Sequence, residues 1–268
     1  MSTPLPVLFT ALVDDAAVYP PGSAPLDEAI KAHRRHRVAW YADFVGPLLV
    51  PASVVDAVDA DIEIGAVADG RIDGLRPTLD RARQVEYAVA KRGEDPQPGL
   101  ADFLALLGER PGLTGFAEVP LTWGLLGALD TIARARESGL PVAPKFRTGG
   151  LAAELFPTPI ELAAVICACR DRGLPFKLTA GLHHAIRHTD PETGFVHHGF
   201  LNVLVGAAQA EADAEVADVA ATLAGTDPVP LIEATRRMLT QHRPLWIGFG
   251  SCSVTEPLDD LSRLGLLG

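Results

Sequence analysis

Short runs rich in β-branched and aromatic residues recur along this chain. Each is followed by turn residues and then by an Ala- and Leu-rich amphipathic stretch, and this repeated strand-then-helix order constrains the fold more than any other feature. A strand that feeds a helix returns beside a parallel neighbour, so the order predicts a parallel sheet covered by helices. The predicted strands are Val7–Val13, Phe44–Val50, Ile62–Val67, Val85–Ala90, Gly115–Val119, Val142–Arg147, Pro175–Thr179 and Leu245–Gly250. The predicted helices are Leu26–His36, Ser53–Ala60, Leu75–Gln84, Leu100–Glu109, Leu125–Ser138, Ile160–Arg172, Pro230–Gln241 and Pro257–Leu264. Eight such units in 268 residues match the size of a closed barrel, so the whole span 1–268 reads as a single (β/α)8 TIM barrel domain. The matched phrases ESGLP and DRGLP place Gly139 and Gly173 where a helix ends in a left-handed turn and a proline stops its continuation. Two intervals are irregular. The gap between the second and third strands leaves room for about two turns of helix. The gap between the seventh and eighth holds a loop, His183–Gly199, and two extra helices, Phe200–Ala214 and Glu215–Leu223.

Charge narrows the partners. Lys+Arg 23 against Asp+Glu 34 gives a net charge of −11, whose field repels phosphate polymers and anionic headgroups, so neither nucleic acid nor a membrane surface is expected as a partner. The opening residues MSTPLPVLFTALVDDAA have neither a basic region nor a long apolar one, and no apolar run approaches the roughly 18 residues of a membrane span. Cys167, Cys169 and Cys252 are too few for a disulfide framework and read as reduced thiols. The expected location is cytoplasmic.

In a TIM barrel the chemistry sits at the C-terminal ends of the strands and in the loops that follow them. Those positions hold Asp14 and Asp15, Glu118, Lys145 and Arg147, Lys177 and Thr179, and Ser251, Cys252 and Ser253. Only four of the 23 basic residues are lysines, and two of these, Lys145 and Lys177, fall inside short apolar runs. Alternation along a strand puts Ala143, Lys145 and Arg147 on one face with Pro144 and Phe146 on the other, and sets Lys177 and Thr179 opposite Phe176 and Leu178. With the apolar pairs facing the helices, both lysines point into the barrel mouth on adjacent strands. Two buried ammonium groups at that separation are expected to push one pKa down toward neutrality, and a neutral lysine is the nucleophile that forms a Schiff base.

The neighbouring groups have roles to match, each with a plainer structural one beside it. Glu118 is a general acid/base or an ion-pair partner of Lys145, and Arg147 can fork onto a carboxylate or phosphate or pair with a loop acid. Five of the eight histidines fall in GLHHAIRHTDPETGFVHHGF, with His183 and His184 nearest the strand end, placed to line a substrate pocket or hold a divalent metal. Gly250 and Ser251 in GFGSCSV can cradle an anion with backbone N–H groups or form a tight turn. No dedicated base for Cys252 is visible in the sequence.

These segments resemble a known family. Lys145-Phe-Arg-Thr-Gly-Gly is similar to the segment that carries the Schiff-base lysine of deoxyribose-phosphate aldolases, class I enzymes. Phe176-Lys177-Leu-Thr-Ala-Gly-Leu resembles their next strand, and Ile247-Gly-Phe-Gly-Ser-Cys-Ser253 resembles the strand end that holds their substrate phosphate. The resemblance implies a Schiff base on Lys145 and covers the last third of the chain in short motifs, the first half only as strand order. Leu182 stands where the family has a second glycine and Cys252 where it has a second serine. The acid that the family carries on its third strand has its nearest counterpart in Glu63.

The reading that follows is a class I aldolase-like carbon–carbon lyase acting on a small anionic oxo substrate. Lys145, Lys177 and Glu118 form its catalytic set, Arg147, Thr179, His183, His184, Gly250 and Ser251 bind substrate, and no cofactor is required. The alternatives are a metal-dependent lyase or hydrolase using His183, His184, Glu118 and Asp14, a phosphoribosyltransferase-like barrel that grips phosphate without covalent chemistry, and a non-enzymatic binding barrel. A homo-oligomer is left open.

Overall fold

The computed structural model describes residues 4–243 and 245–267, so the ends of the expected 1–268 span and Pro244 lie outside the described residues. Eight parallel strands close into a barrel: β1 (Val13–Asp15), β2 (Val45–Pro51), β3 (Ile64–Val67), β4 (Gln84–Ala88), β5 (Thr114–Glu118), β6 (Val142–Arg147), β7 (Phe176–Thr179) and β10 (Trp246–Ser251), with β10 between β7 and β1. A two-stranded antiparallel hairpin, β8 (His188–Thr189) with β9 (Val196–His197), rises from the loop after β7. The helices are α1 (Leu26–Arg37), α2 (Gln97–Gly108), α3 (Leu125–Glu137), α4 (Pro159–Arg170), α5 (Phe200–Glu211), α6 (Val216–Ala224), α7 (Pro228–Met238) and α8 (Thr255–Arg263). The fold is a (β/α)8 TIM barrel with two additional helices, α5 and α6, between its seventh and eighth strands.

Three elements differ from the sequence expectation, each for a local reason. The run Val7–Val13 is not a strand: Val7–Phe9 is a 3-10 turn and pairing starts only at Val13. Pro4 and Pro6 can donate no ladder hydrogen bond. The Arg243 guanidinium donates instead to the carbonyls of Leu8, Thr10 (2.8 Å) and Ile247 (2.7 Å), tying this apolar segment across the N-terminal end of the barrel. The helices expected at Ser53–Ala60 and Leu75–Gln84 are 3-10 segments, Ala52–Ala57 and Ile72–Thr78. The first has too short a gap to fill and the second contains Pro77, which lacks the N–H an α-helical turn requires.

The outward faces of the strands form the core beneath the helices. Phe146 and Phe176, on adjacent strands, lie ring to ring at 6.2 Å, and Phe249 stacks on Phe200 of α5 at 5.9 Å. The inward neighbours of Phe146 and Phe176 are therefore Lys145, Arg147 and Lys177, and those of Phe249 are Gly248 and Gly250.

Candidate active site

Strand pairing sets the site. Lys145 and Lys177 are directly opposite each other across β6 and β7, Glu118 is opposite Lys145 across β5 and β6, and Glu86 on β4 is opposite Phe116 on β5. Lys177 is paired with Gly248, and Gly250, the next inward residue of β10, with Asp14 of β1. Lys177 therefore reaches Asp14 across the intervening strand β10.

The charges alternate. Glu86 accepts from both lysines, with Oε2 2.7 Å from Lys145 Nζ and Oε1 2.5 Å from Lys177 Nζ. Lys177 also donates to Asp14, and Lys145 lies 2.8 Å from Glu118 Oε2. Arg147 Nε donates to Glu118 Oε1 at 2.9 Å and closes the row on the solvent side. The order Asp14, Lys177, Glu86, Lys145, Glu118, Arg147 thus balances three carboxylates against three cations. Gln84 Nε2 donates to Asp14 Oδ2 (2.8 Å) and Glu86 Oε1 (3.1 Å), and Lys177 Nζ lies 4.5 Å above the Phe116 ring. Lys145, Lys177 and Glu86 are 3, 2 and 1% exposed, so this is an interior network.

Glu86 changes the expected electrostatics. Burial alone would lower the lysine pKa values, but Glu118 and Glu86 outweigh it at Lys145, and Asp14 and Glu86 outweigh it at Lys177, so both lie above their ordinary value. The expectation that Lys177 drives Lys145 toward neutrality is corrected: a shared carboxylate stands between the two ammonium groups. Burial raises Glu86, yet Lys145 and Lys177 dominate and bring it down to about 2. Glu118, facing Lys145 and Arg147, is also held below its usual value against its burial.

The remaining expected residues separate into two groups. Thr179, paired with Arg147 and Gly250, stays at the mouth, and its carbonyl accepts from the Thr148 N–H at 2.9 Å. Ser251 pairs with Asp15 and its hydroxyl accepts from the Ser253 N–H at 3.3 Å. His183 and His184 turn toward α8 instead, His183 Nδ1 2.8 Å from Glu256 Oε2 and His184 Nδ1 3.2 Å from Asp260 Oδ2. The ligands of the metal-dependent alternative are therefore engaged by different partners. Among the described residues no group of three or more His, Cys, Asp or Glu is arranged to hold a metal ion. Glu63 precedes β3 and pairs on the outside with Arg83 at 3.0 Å, so it is not the inward acid. Asp15 is buried against His33 of α1 at 3.0 Å, a tie between strand and helix.

Glu86 and Gln84 were missed: Glu86 alternates with Val85 and Tyr87 inside the expected strand Val85–Ala90 and could have been found from that, whereas Gln84 fell at the end of the expected helix Leu75–Gln84 and lies instead at the start of β4. Tyr19, in the loop after β1, carried no such signal. Its hydroxyl is buried without a hydrogen-bond partner among the described residues, and burial, then the charges of Glu86 and Asp69, raise its pKa. It stays protonated and has a hydrogen bond to give. A cavity of about 400 Å³ opens over β5 and β6, lined among others by Arg92, Glu118, Arg147, Phe156 and Thr158, and it meets the ionic network at Glu118.

No protein-family model matches the chain, and no curated protein matches it.

Proposed function

We propose that this barrel is a class I aldolase-like lyase that makes or breaks a carbon–carbon bond in a small anionic oxo compound through a Schiff base on Lys145. The observation that carries the reading is the pair of buried lysines, side by side at the C-terminal mouth, each flanked by carboxylates. An ionic row of this depth is poor value as a stabilising device, since apolar side chains of similar volume commonly do as well or better. Displaced pKa values in a cluster at a barrel mouth mark sites of chemistry.

Both lysines rest as ammonium ions, so substrate must trigger the deprotonation. The anionic group of the substrate enters the cavity and takes Arg147, the outermost cation. Glu118 then loses one of the two positive neighbours that hold its pKa down, becomes more basic and accepts the Lys145 proton. Neutral Lys145 Nζ adds to the carbonyl carbon. Glu118 returns that proton to the carbinolamine oxygen, which leaves as water and gives an iminium; Glu118 then takes the proton of the substrate's β-hydroxyl, the bond between the α and β carbons breaks with its electron pair drawn into the iminium to give an enamine, and the β carbon departs as an aldehyde or ketone. Reprotonation and hydrolysis return the amine. Lys177 and Glu86 keep the developing charge compensated.

Borohydride reduction in the presence of small aldehydes and 2-oxo acids, followed by peptide mapping, tests this. The expected result is a reduced adduct on Lys145 that is absent in Lys145→Arg. Absence of an adduct with every carbonyl would mean that the lysines act as fixed charges, the non-covalent anion site that their raised pKa values also support.

A further inference from the structure

One group of side chains at the mouth takes no part in the lysine chemistry. Cys252 follows directly after β10, His183 lies in the loop after β7, and Glu256 sits in the first turn of α8. Cys252 Sγ is 3.8 Å from His183 Nε2, and the other ring nitrogen, Nδ1, is 2.8 Å from Glu256 Oε2. A carboxylate on Nδ1 fixes the proton there and turns the Nε2 lone pair toward the thiol. This is the order nucleophile, base, orienting acid, brought together from three segments up to 73 positions apart.

We propose that Cys252, with His183 as its base and Glu256 holding the imidazole, is a second nucleophilic centre that accepts acyl groups from activated esters or thioesters.

Three further observations support it. Cys252 is partly exposed, whereas Cys167 and Cys169 are buried in α4, where burial raises both thiols. Burial pulls His183 down, but its hydrogen bonds and charge contacts with Cys252 and Glu256 outweigh that and lift it to about 9, which makes the imidazole a base strong enough to hold the proton it takes from sulfur. Helix α8 starts at Thr255, three residues beyond the thiol, so the positive end of its dipole lies close to it in sequence. The loop after β1 shields the opposite side, where a Cβ on Gly22 would come within 3.0 Å of the Cys252 Cβ.

In the step itself, His183 takes the thiol proton and the sulfur attacks the acyl carbon. The bond to the leaving alkoxide or thiolate breaks, and the leaving group takes the proton from His183. Water, deprotonated by His183, then attacks the thioester; the carbon–sulfur bond breaks, the acid departs and the thiol is restored.

The test uses the full chain and p-nitrophenyl acetate, following p-nitrophenol release together with intact mass and peptide mapping. The expected result is a burst and a single acetyl group on Cys252, both lost in Cys252→Ser, slowed at least tenfold in His183→Gln and several-fold in Glu256→Gln. Circular dichroism and thermal melts verify that each variant is folded. Acetylation confined to lysines, a label on Cys167 or Cys169 instead, or a burst unchanged in folded His183→Gln would overturn the proposal.

Discussion

At the scale of single residues, Glu86 determines the character of the site. Among the described residues it alone is ion-paired to both lysines, and it is all but inaccessible to solvent. Replacing one partner of a buried ionic network leaves the others uncompensated, which typically costs about 3–5 kcal/mol. Glu86→Gln is therefore expected to lower stability by an amount in that range, readable as a fall in the urea midpoint, while the isosteric amide keeps the packing. Lys145→Met together with Glu86→Leu should recover part of the loss, because two apolar side chains remove two charges at once; no recovery would show that the network is bound by geometry and not by charge balance. Lys145 and Lys177 were legible in the sequence as inward-facing cations of adjacent strands, and so was Glu118. What alternation could not reveal is which carboxylate sits between them. Side chains on β4 and β7 meet only across the barrel interior, with Glu86 and Lys177 separated by 91 positions.

At the scale of elements, glycines create the space that the charged residues occupy. A Cβ on Gly46 of β2 would fall 1.9 Å from Asp14 Oδ1, so the side chain of Asp14 lies where any other residue on β2 would stand. Gly46→Ala should displace Asp14 from Lys177 and lower stability by about 1–3 kcal/mol, the usual range for overpacking, measured as a drop in Tm with the barrel's far-UV spectrum retained. The loops after β6 and β7 close on each other in the same way: a Cβ on Gly149 would come within 2.8 Å of the Gly181 Cα, and Gly181 itself has φ +78°. The repeated glycines after Lys145 and Lys177 thus serve a backbone contact at the mouth.

At the scale of the whole molecule, the depressed carboxylates couple stability to pH. Glu86 has a pKa near 2 when folded against about 4.5 for the free side chain, so its contribution is fully present above about 4.5 and is lost as pH falls through that interval toward 2. Integrated, this single group accounts for roughly 3 kcal/mol. Urea midpoints of the wild type should fall steeply as pH is lowered below about 4.5, and Glu86→Gln should show a shallower fall; equal slopes would mean that Glu86 does not carry the acid sensitivity.

What the sequence by itself determined was most of what local period and order govern: the succession of eight strands, six of the eight expected helices, the closed barrel, the insertion before the last strand, and two lysines on the inward face at matching height. Short-range signals suffice there, because alternation and amphipathicity are properties of neighbouring residues. Where a proline or a gap too short for a helix intervened, as at Leu75–Gln84 and Ser53–Ala60, the periodic signal was overridden by hydrogen-bonding capacity and chain length. Only the tertiary structure decided the pairings across the barrel: Glu86 between the lysines, Asp14 on Lys177, the Tyr19 hydroxyl buried without a partner among the described residues, and His183 between Cys252 and Glu256. Each depends on which side chains converge in the enclosed mouth, where low dielectric makes every charge choose a partner and sequence separation says nothing about distance.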